Sequence, residues 1–96
     1  MKESMIEKKL TKYAGERGSF SFKLNSYSTN GLPDRVYLYK GMILFIEIKN
    51  ASGRLSSTQQ HMRSIFRNHG INYNVIYSVQ EGYSLIDRFI TNGNSK

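Results

Sequence analysis

The chain has 96 residues, and its 14 Lys and Arg outnumber its 7 Asp and Glu, which gives a formal net charge of +7. This length allows one domain with one core, and the lack of cysteine excludes disulfides, thiolate zinc sites and cysteine nucleophiles. No apolar run approaches the ~18 residues of a membrane-spanning helix, so we expect no membrane partner and a soluble cytoplasmic protein. The basic balance favours an anionic partner, most commonly nucleic acid, over a merely solvated basic surface.

The chain begins with a helix and an alternating strand. Apolar residues spaced as on one helical face predict a helix over residues 3–14, ending near Gly15: Ile6, Leu10 and Tyr13. Phe20, Phe22 and Leu24 then alternate with polar residues, which predicts a half-buried strand over 19–25 with the phenylalanines toward the core. Residues 26–31 are polar and rich in turn formers, so they read as a loop.

A β-hairpin follows this loop. Residues 36–39 and 42–49 read as its two strands, and Lys40-Gly41 reads as the tight turn between them. The second strand is almost entirely apolar as far as Ile46, which indicates burial on both faces. Glu47 follows directly, and acids are seldom buried without a partner or a metal.

The second half of the chain predicts a helix, a strand and a closing helix. Ser56 and Gln59 form a capping-box pattern that starts a helix over 57–69. We expect a strand at 74–79, a short helix at 84–90 and a polar tail at 92–96, so that residues 1–91 form a single domain. The helix between two strands makes that strand pair parallel, and the order αβββαβα gives an α/β fold with a mixed sheet flanked by helices on both faces.

The predicted hairpin brings two carboxylates together. Pairing counted outward from the turn at Lys40-Gly41 places Asp34 opposite Glu47, and Lys49 shares the side of Glu47 because side chains alternate along a strand. Two close carboxylates repel unless one is protonated or a cation lies between them, and Mg²⁺ and Mn²⁺ prefer such oxygen ligands. An ordinary salt bridge to Lys49 is the alternative.

The order of these motifs resembles the PD-(D/E)XK nuclease superfamily. The pattern consists of Glu7 on the first helix, Gly31-Leu32-Pro33-Asp34 before the hairpin, Glu47-Ile48-Lys49 after it, and Leu55-Ser56-Ser57-Thr58-Gln59 at the next helix. More narrowly, nearly the whole chain resembles a stand-alone virus-type replication-repair nuclease (VRR-NUC) domain of the phage and bacterial type. The segment 75–79 departs from that family because it lacks arginines after its valine.

The resemblance implies a restriction-endonuclease-like core and a metal-dependent DNA endonuclease. It implies that Mg²⁺ or Mn²⁺ is held by Asp34, Glu47, the Ile48 carbonyl and Glu7, directly or through water. On spacing alone, Glu7 reads instead as a solvated helix acid. Lys49 would position the attacking water, and Gln59 would reach the lysine or the phosphate, beside its capping role.

Substrate and partners are further expectations from the resemblance. Basic residues are the candidates for contacting backbone phosphates: Lys8, Lys12, Lys23, Arg35 and Arg54. Stand-alone family members are similar in function to Holliday-junction resolvases, which implies branched DNA as substrate and a homodimer. Two alternatives remain, a non-catalytic basic module that binds nucleic acid and a protein-interaction subunit.

Overall fold

The computed structural model describes residues 1–96 as a four-stranded mixed sheet with three helices. In chain order the elements are α1 (Glu3–Glu16), β1 (Phe20–Lys23), β2 (Arg35–Tyr39), β3 (Met42–Ile48), α2 (Ser57–Asn68), β4 (Tyr73–Ile76) and α3 (Val79–Asn94). The strands lie side by side in sequence order, with β1, β2 and β3 antiparallel and β4 parallel to β3. The predicted order αβββαβα and the mixed sheet are therefore confirmed. No helix is long and apolar enough to cross a membrane.

The β2–β3 hairpin has the predicted turn and the predicted register. Lys40 and Gly41 have φ of 44° and 80°, the left-handed pair of a two-residue turn that matches the twist of the strands. Tyr39 pairs with Met42, and the ladder continues to Arg35 opposite Ile46. One step further along the same register, Asp34 lies beside Glu47.

The core lies between one face of the sheet and the helices α1 and α3. Alternate residues of β3 enter it, because side chains of a strand point to opposite faces; they are Leu44, Ile46 and Ile48. The two helices approach closely at Gly82, where a Cβ atom would lie 2.5 Å from Cδ2 of Leu10. Any larger residue there would force the Leu10 side chain, or the two helices, to shift.

Helix α2 covers part of the opposite face. The Phe66 ring packs edge-on against Phe45 and Tyr73, with centroid distances of 5.1 and 5.3 Å. Helices on both faces are thus confirmed. Glu47 lies on this second face of β3, since it alternates with Ile46 and Ile48.

The phenylalanines of β1 do not face the core, so that part of the prediction is wrong. Phe20 is 67% exposed and Phe22 is 43% exposed. The two phenylalanines lie on the same side of the strand, as predicted. That side belongs to the α2 face of the sheet, and α2 packs over β3 and β4 but does not reach β1. Phe20 pairs with Leu38, which pairs with Ile43, and all three are exposed. We call these three residues the apolar row.

The C-terminal elements differ in length from the prediction. Ser78 caps α3, because its Oγ accepts a hydrogen bond from the backbone N–H of Glu81 at 3.2 Å. The strand expected at 74–79 therefore ends at Ile76, and the helix begins at Val79. The residues expected as a polar tail at 92–96 are helical as far as Asn94, whose Oδ1 accepts from the Tyr39 hydroxyl.

Candidate active site

Glu47 is the central residue of the site, and it is only 3% exposed. Its Oε2 accepts a hydrogen bond from Nε2 of Gln59 at 2.9 Å and lies 3.4 Å from Nζ of Lys49. Its Oε1 is buried without any hydrogen-bond partner. Burial, and then the negative charge of Asp34, raise the pKa of Glu47 to about 7, against the opposing effects of Lys49 and Gln59.

Asp34 lies directly before β2 and is tied to β3. Its Oδ2 accepts from the backbone N–H of Ile48 at 2.8 Å, which fixes the carboxylate beside the Glu47-Ile48-Lys49 segment. Burial raises the pKa of Asp34, and the Ile48 hydrogen bond opposes that shift. Glu7 and Glu3 raise this pKa further through their charges. Both carboxylates of the hairpin thus bind protons more readily than free acids.

Gln59 links the site to the first turn of α2. Its Oε1 accepts from the backbone N–H of Ser56 at 3.0 Å, while its own backbone N–H donates to Oγ of Ser56 at 3.1 Å. The predicted capping box is present, and the same side chain holds Glu47 through its amide nitrogen. One rotamer of Gln59 therefore combines the cap with a hydrogen bond to Glu47, in place of the expected contact with Lys49.

The loop before Asp34 is locked against α2 and β4. Gly31 has φ of 85°, and a Cβ atom there would lie 2.6 Å from the carbonyl oxygen of Thr58. The Gly31 carbonyl in turn accepts from the Tyr73 hydroxyl at 2.9 Å. Burial raises the pKa of Tyr73, followed by the charges of Glu47 and Asp34, so the hydroxyl stays protonated as a donor. Tyr73 was not predicted as a site residue, because it lies just before the strand expected at 74–79 and no local pattern links it to the loop before Asp34.

Glu7 is not brought together with Asp34 and Glu47 as a ligand cluster. Its Oε2 accepts from Nη1 of Arg35 at 3.0 Å, and its Oε1 lies 3.6 Å from Nζ of Lys23. No group of three or more His, Cys, Asp or Glu side chains is placed to hold a metal ion. Both oxygens of Glu7 therefore face cations of the chain itself, and the acid acts on Asp34 only through its charge.

Arg35, expected to contact phosphate, is committed inside the fold. Its guanidinium also donates to Oγ of Ser21 at 3.0 Å, and the side chain is 15% exposed. Its Nε is buried without a partner. The structure thus gives Arg35 a place in holding β1, β2 and α1 together, and part of its side chain also lines a concavity beside α1.

The other basic residues predicted to bind DNA divide between two concavities. Lys8, Lys12 and Lys23 line one of about 460 Å³ between α1 and the sheet, where Glu7 and Arg35 also lie. Arg54 lines another of about 480 Å³ with Arg63 and Arg67 of α2. The residues predicted to bind DNA did not include the two α2 arginines. Their spacing of four and eight residues from Gln59 places them on its side of the helix, and this spacing could have identified them.

Comparison with known proteins identifies the fold. Neither the models of protein families nor the curated proteins include a match. Among solved structures, the chain matches one described as a VRR_NUC domain, with a TM-score of 0.81 and 26% sequence identity. The match covers 88% of this chain and 94% of that chain. The chain therefore has the fold of a VRR_NUC nuclease domain, and the resemblance noted in its sequence motifs is confirmed.

Proposed function

We propose that the chain is a metal-dependent deoxyribonuclease that hydrolyses phosphodiester bonds, with Asp34, Glu47 and Lys49 as its central residues. One observation carries the proposal most directly, the buried Oε1 of Glu47 that has no hydrogen-bond partner. Buried polar atoms are nearly always satisfied, so such an atom calls for a partner from outside the chain. Burial first, and then the charge of Asp34, raise the pKa of Glu47 and so disfavour its ionised form; a bound cation would favour that form.

The residues present fit a hard divalent cation. Asp34, Glu47 and the Ile48 carbonyl would hold Mg²⁺ or Mn²⁺ through oxygen atoms, the ligands that these ions prefer. When bound, such an ion polarises the scissile phosphate and lowers the pKa of a coordinated water. We leave Glu7 out of this ligand set, because both of its oxygens face Arg35 and Lys23.

Lys49 and Gln59 have separate roles in the proposal. The Lys49 ammonium, 3.4 Å from Glu47, would orient the attacking water or stabilise charge that develops on the phosphate. Gln59 is a positioning residue, since it holds Oε2 of Glu47 and leaves Oε1 free toward the proposed cation. Its anchoring in the capping box fixes the direction from which it acts.

We further propose that the substrate is branched DNA and that the protein acts as a homodimer. The net charge of +7 supports a polyanionic substrate. The apolar row of Phe20, Leu38 and Ile43 supports the dimer, because a second copy would bury it and a contiguous exposed apolar surface commonly marks an interface. Two sites in one dimer would suit paired incisions at a junction. Sedimentation at several protein concentrations tests the oligomeric state.

The activity is tested with a panel of labelled four-way junctions, flaps, splayed arms and linear duplexes. Each is incubated with Mg²⁺, with Mn²⁺ and with EDTA. The proposal expects cleavage with either metal, none with EDTA, and preference for a branched substrate. Tight binding without any metal-dependent cleavage would instead establish the alternative, a non-catalytic module that binds nucleic acid.

A further inference from the structure

Three exposed arginines on the α2 side of the molecule have no acidic partner. Arg63 and Arg67 lie four and eight residues after Gln59 and share its side of α2, and Arg54 precedes that helix. The ion pairs of the chain involve Arg17, Lys23, Arg35 and Lys49, and none of these three. We call Arg54, Arg63 and Arg67 the arginine track.

The arginine track borders two adjoining concavities. All three arginines line the one of about 480 Å³, together with Gln60 and Tyr77. Arg63 and Arg67 also line a second of about 360 Å³, whose other wall is the segment from Gly70 to Val75. No Asp or Glu lines either one. Guanidinium groups thus border both concavities, and no carboxylate there compensates their charge.

The second concavity also borders the edge of the sheet. Strand β4 pairs only with β3, so the backbone groups on its outer side have no strand partner. Those N–H groups are hydrogen-bond donors for oxygen ligands, as are the arginines. Backbone hydrogen-bond donors of β4 and the positive charge of the arginines therefore lie at the same concavity. This combination suits a ligand with several anionic oxygen atoms.

We infer that the arginine track binds the phosphate backbone of the DNA strand next to the scissile phosphate. The inference rests on the proposed function and assigns part of its substrate contact to residues on α2. Gln59 contacts Glu47 at the start of the helix, so the track continues directly from the site. The lysines on the α1 side are less suited, because Glu7 already neutralises part of their charge and pairs with Lys23 at 3.6 Å.

Helix geometry sets the expected footprint. The α-helix rises about 1.5 Å per residue, which places Arg63 about 6 Å and Arg67 about 12 Å beyond Gln59 along the axis. One DNA strand advances about 3.4 Å per nucleotide. With the α2 axis aligned along the bound strand, the two arginines contact phosphates about two and about three to four nucleotides from the scissile one.

The first test measures DNA binding in EDTA, where no cleavage occurs. We compare the double variant Arg63→Gln/Arg67→Gln with Arg88→Gln/Lys96→Gln, which loses the same charge at exposed positions of α3 and the C-terminus. The track variant should lose at least tenfold in affinity, and its plot of log affinity against log salt should become shallower by about two. The matched control should change less than threefold and keep its slope.

A second test locates the contacts. Neutral methylphosphonate linkages are placed one at a time along the strand. Wild-type protein should lose affinity at the positions about two and about three to four nucleotides from the cut, and Arg63→Gln should become insensitive only at the nearer one. Circular dichroism and thermal unfolding verify that each variant is folded.

The outcomes separate this inference from the proposed function. If the track variant binds DNA with the affinity and salt slope of its matched control, the arginine track is not a phosphate site, whether or not the wild type cleaves. If the wild type never cleaves with metal but the track variant still loses binding, the proposed activity fails and the DNA-binding surface stands.

Discussion

Gln59 donates a hydrogen bond from Nε2 to Oε2 of Glu47 at 2.9 Å while its Oε1 accepts from the backbone of Ser56 at 3.0 Å. One side chain therefore starts α2 and holds the central carboxylate of the site. The two roles can be separated by substitution, because the cap needs only an acceptor at position 59, whereas Glu47 needs a donor.

Gln59→Glu should keep the helix cap and impair the site. Glutamate serves a capping box as well as glutamine does, but it places a second negative charge against Glu47 and so raises the pKa of that carboxyl further. We expect a fall in cleavage rate of at least tenfold with little change in the urea midpoint. Ser56→Ala is the matched control, since it removes the cap at a cost of about 1 kcal/mol and should leave the rate of the folded enzyme intact. A fully active Gln59→Glu protein would exclude the positioning role.

Lys49→Ala should abolish cleavage without weakening DNA binding. Removing a charged donor from the place where transition-state charge develops costs about 10²- to 10³-fold in rate. Affinity for a labelled junction, measured in EDTA, should stay within threefold of wild type. Asp34→Ala and Glu47→Ala should behave alike. Full activity in a clean preparation of Lys49→Ala would remove Lys49 from the proposed site.

The stability of the metal-free protein should fall between about pH 4.5 and pH 7 because of Glu47. The pKa of Glu47 is raised from 4.5 to about 7 on folding, so over this interval the folded state binds more protons than the unfolded state. The stabilisation is present below pH 4.5 and lost as pH rises to 7. The shift corresponds to about 3 kcal/mol, at about 1.4 kcal/mol per pKa unit.

Glu47→Gln isolates this effect, because glutamine has the same shape and does not titrate. Urea unfolding from pH 4 to pH 8 in EDTA should show a weaker decline for the variant, which should be more stable than wild type at pH 8. Parallel curves for the two proteins would contradict the raised pKa.

Divalent metal should stabilise the wild type against heat. A ligand that binds only the folded state adds about 2.7 kcal/mol at one hundred times its Kd. Mg²⁺ or Mn²⁺ should therefore raise the melting temperature, and EDTA should reverse the increase. Asp34→Asn and Glu47→Gln should lose the increase, whereas Arg88→Gln should keep it. An increase of equal size in Glu47→Gln would place the metal elsewhere.

Gly31→Ala should destabilise the fold more than Gly41→Ala does. Both glycines have positive φ, which costs a non-glycine residue about 1–2 kcal/mol. A Cβ atom at Gly31 would also lie 2.6 Å from the Thr58 carbonyl oxygen, whereas at Gly41 it would meet nothing within 4 Å. Equilibrium unfolding measures the difference. Equal losses would show that the loop before Asp34 is free to move away from α2.

Local sequence signals were sufficient to predict the hairpin and the residues near it. The Lys40-Gly41 turn fixes the strand register, and that register alone placed Asp34 beside Glu47. The capping pattern likewise placed Gln59 at the start of α2. In each case the interaction that fixes the position of the residue is local, within a few residues or one strand pair. Periodicity and turn-forming residues are sufficient to predict such local structure.

Long-range pairing explains what could not be predicted. Glu7 and Arg35 are 28 residues apart, and nothing in the pattern of either segment indicates that they meet. The alternation of Phe20 and Phe22 likewise shows that one side of β1 is apolar, but not which side the helices cover. That choice depends on where α2 lies over the sheet, which is a property of the assembled fold.

The two-residue turn between β2 and β3 has a consequence for the order of folding. Hairpins form in about 1–10 μs, whereas the parallel pairing of β4 must wait for the crossover through α2. We therefore expect Asp34 and Glu47 to meet early, while water still screens their repulsion, and the electrostatic cost to arise later, when α2 docks. Relieving the repulsion with Glu47→Gln should accordingly slow unfolding and leave the formation of the hairpin unchanged.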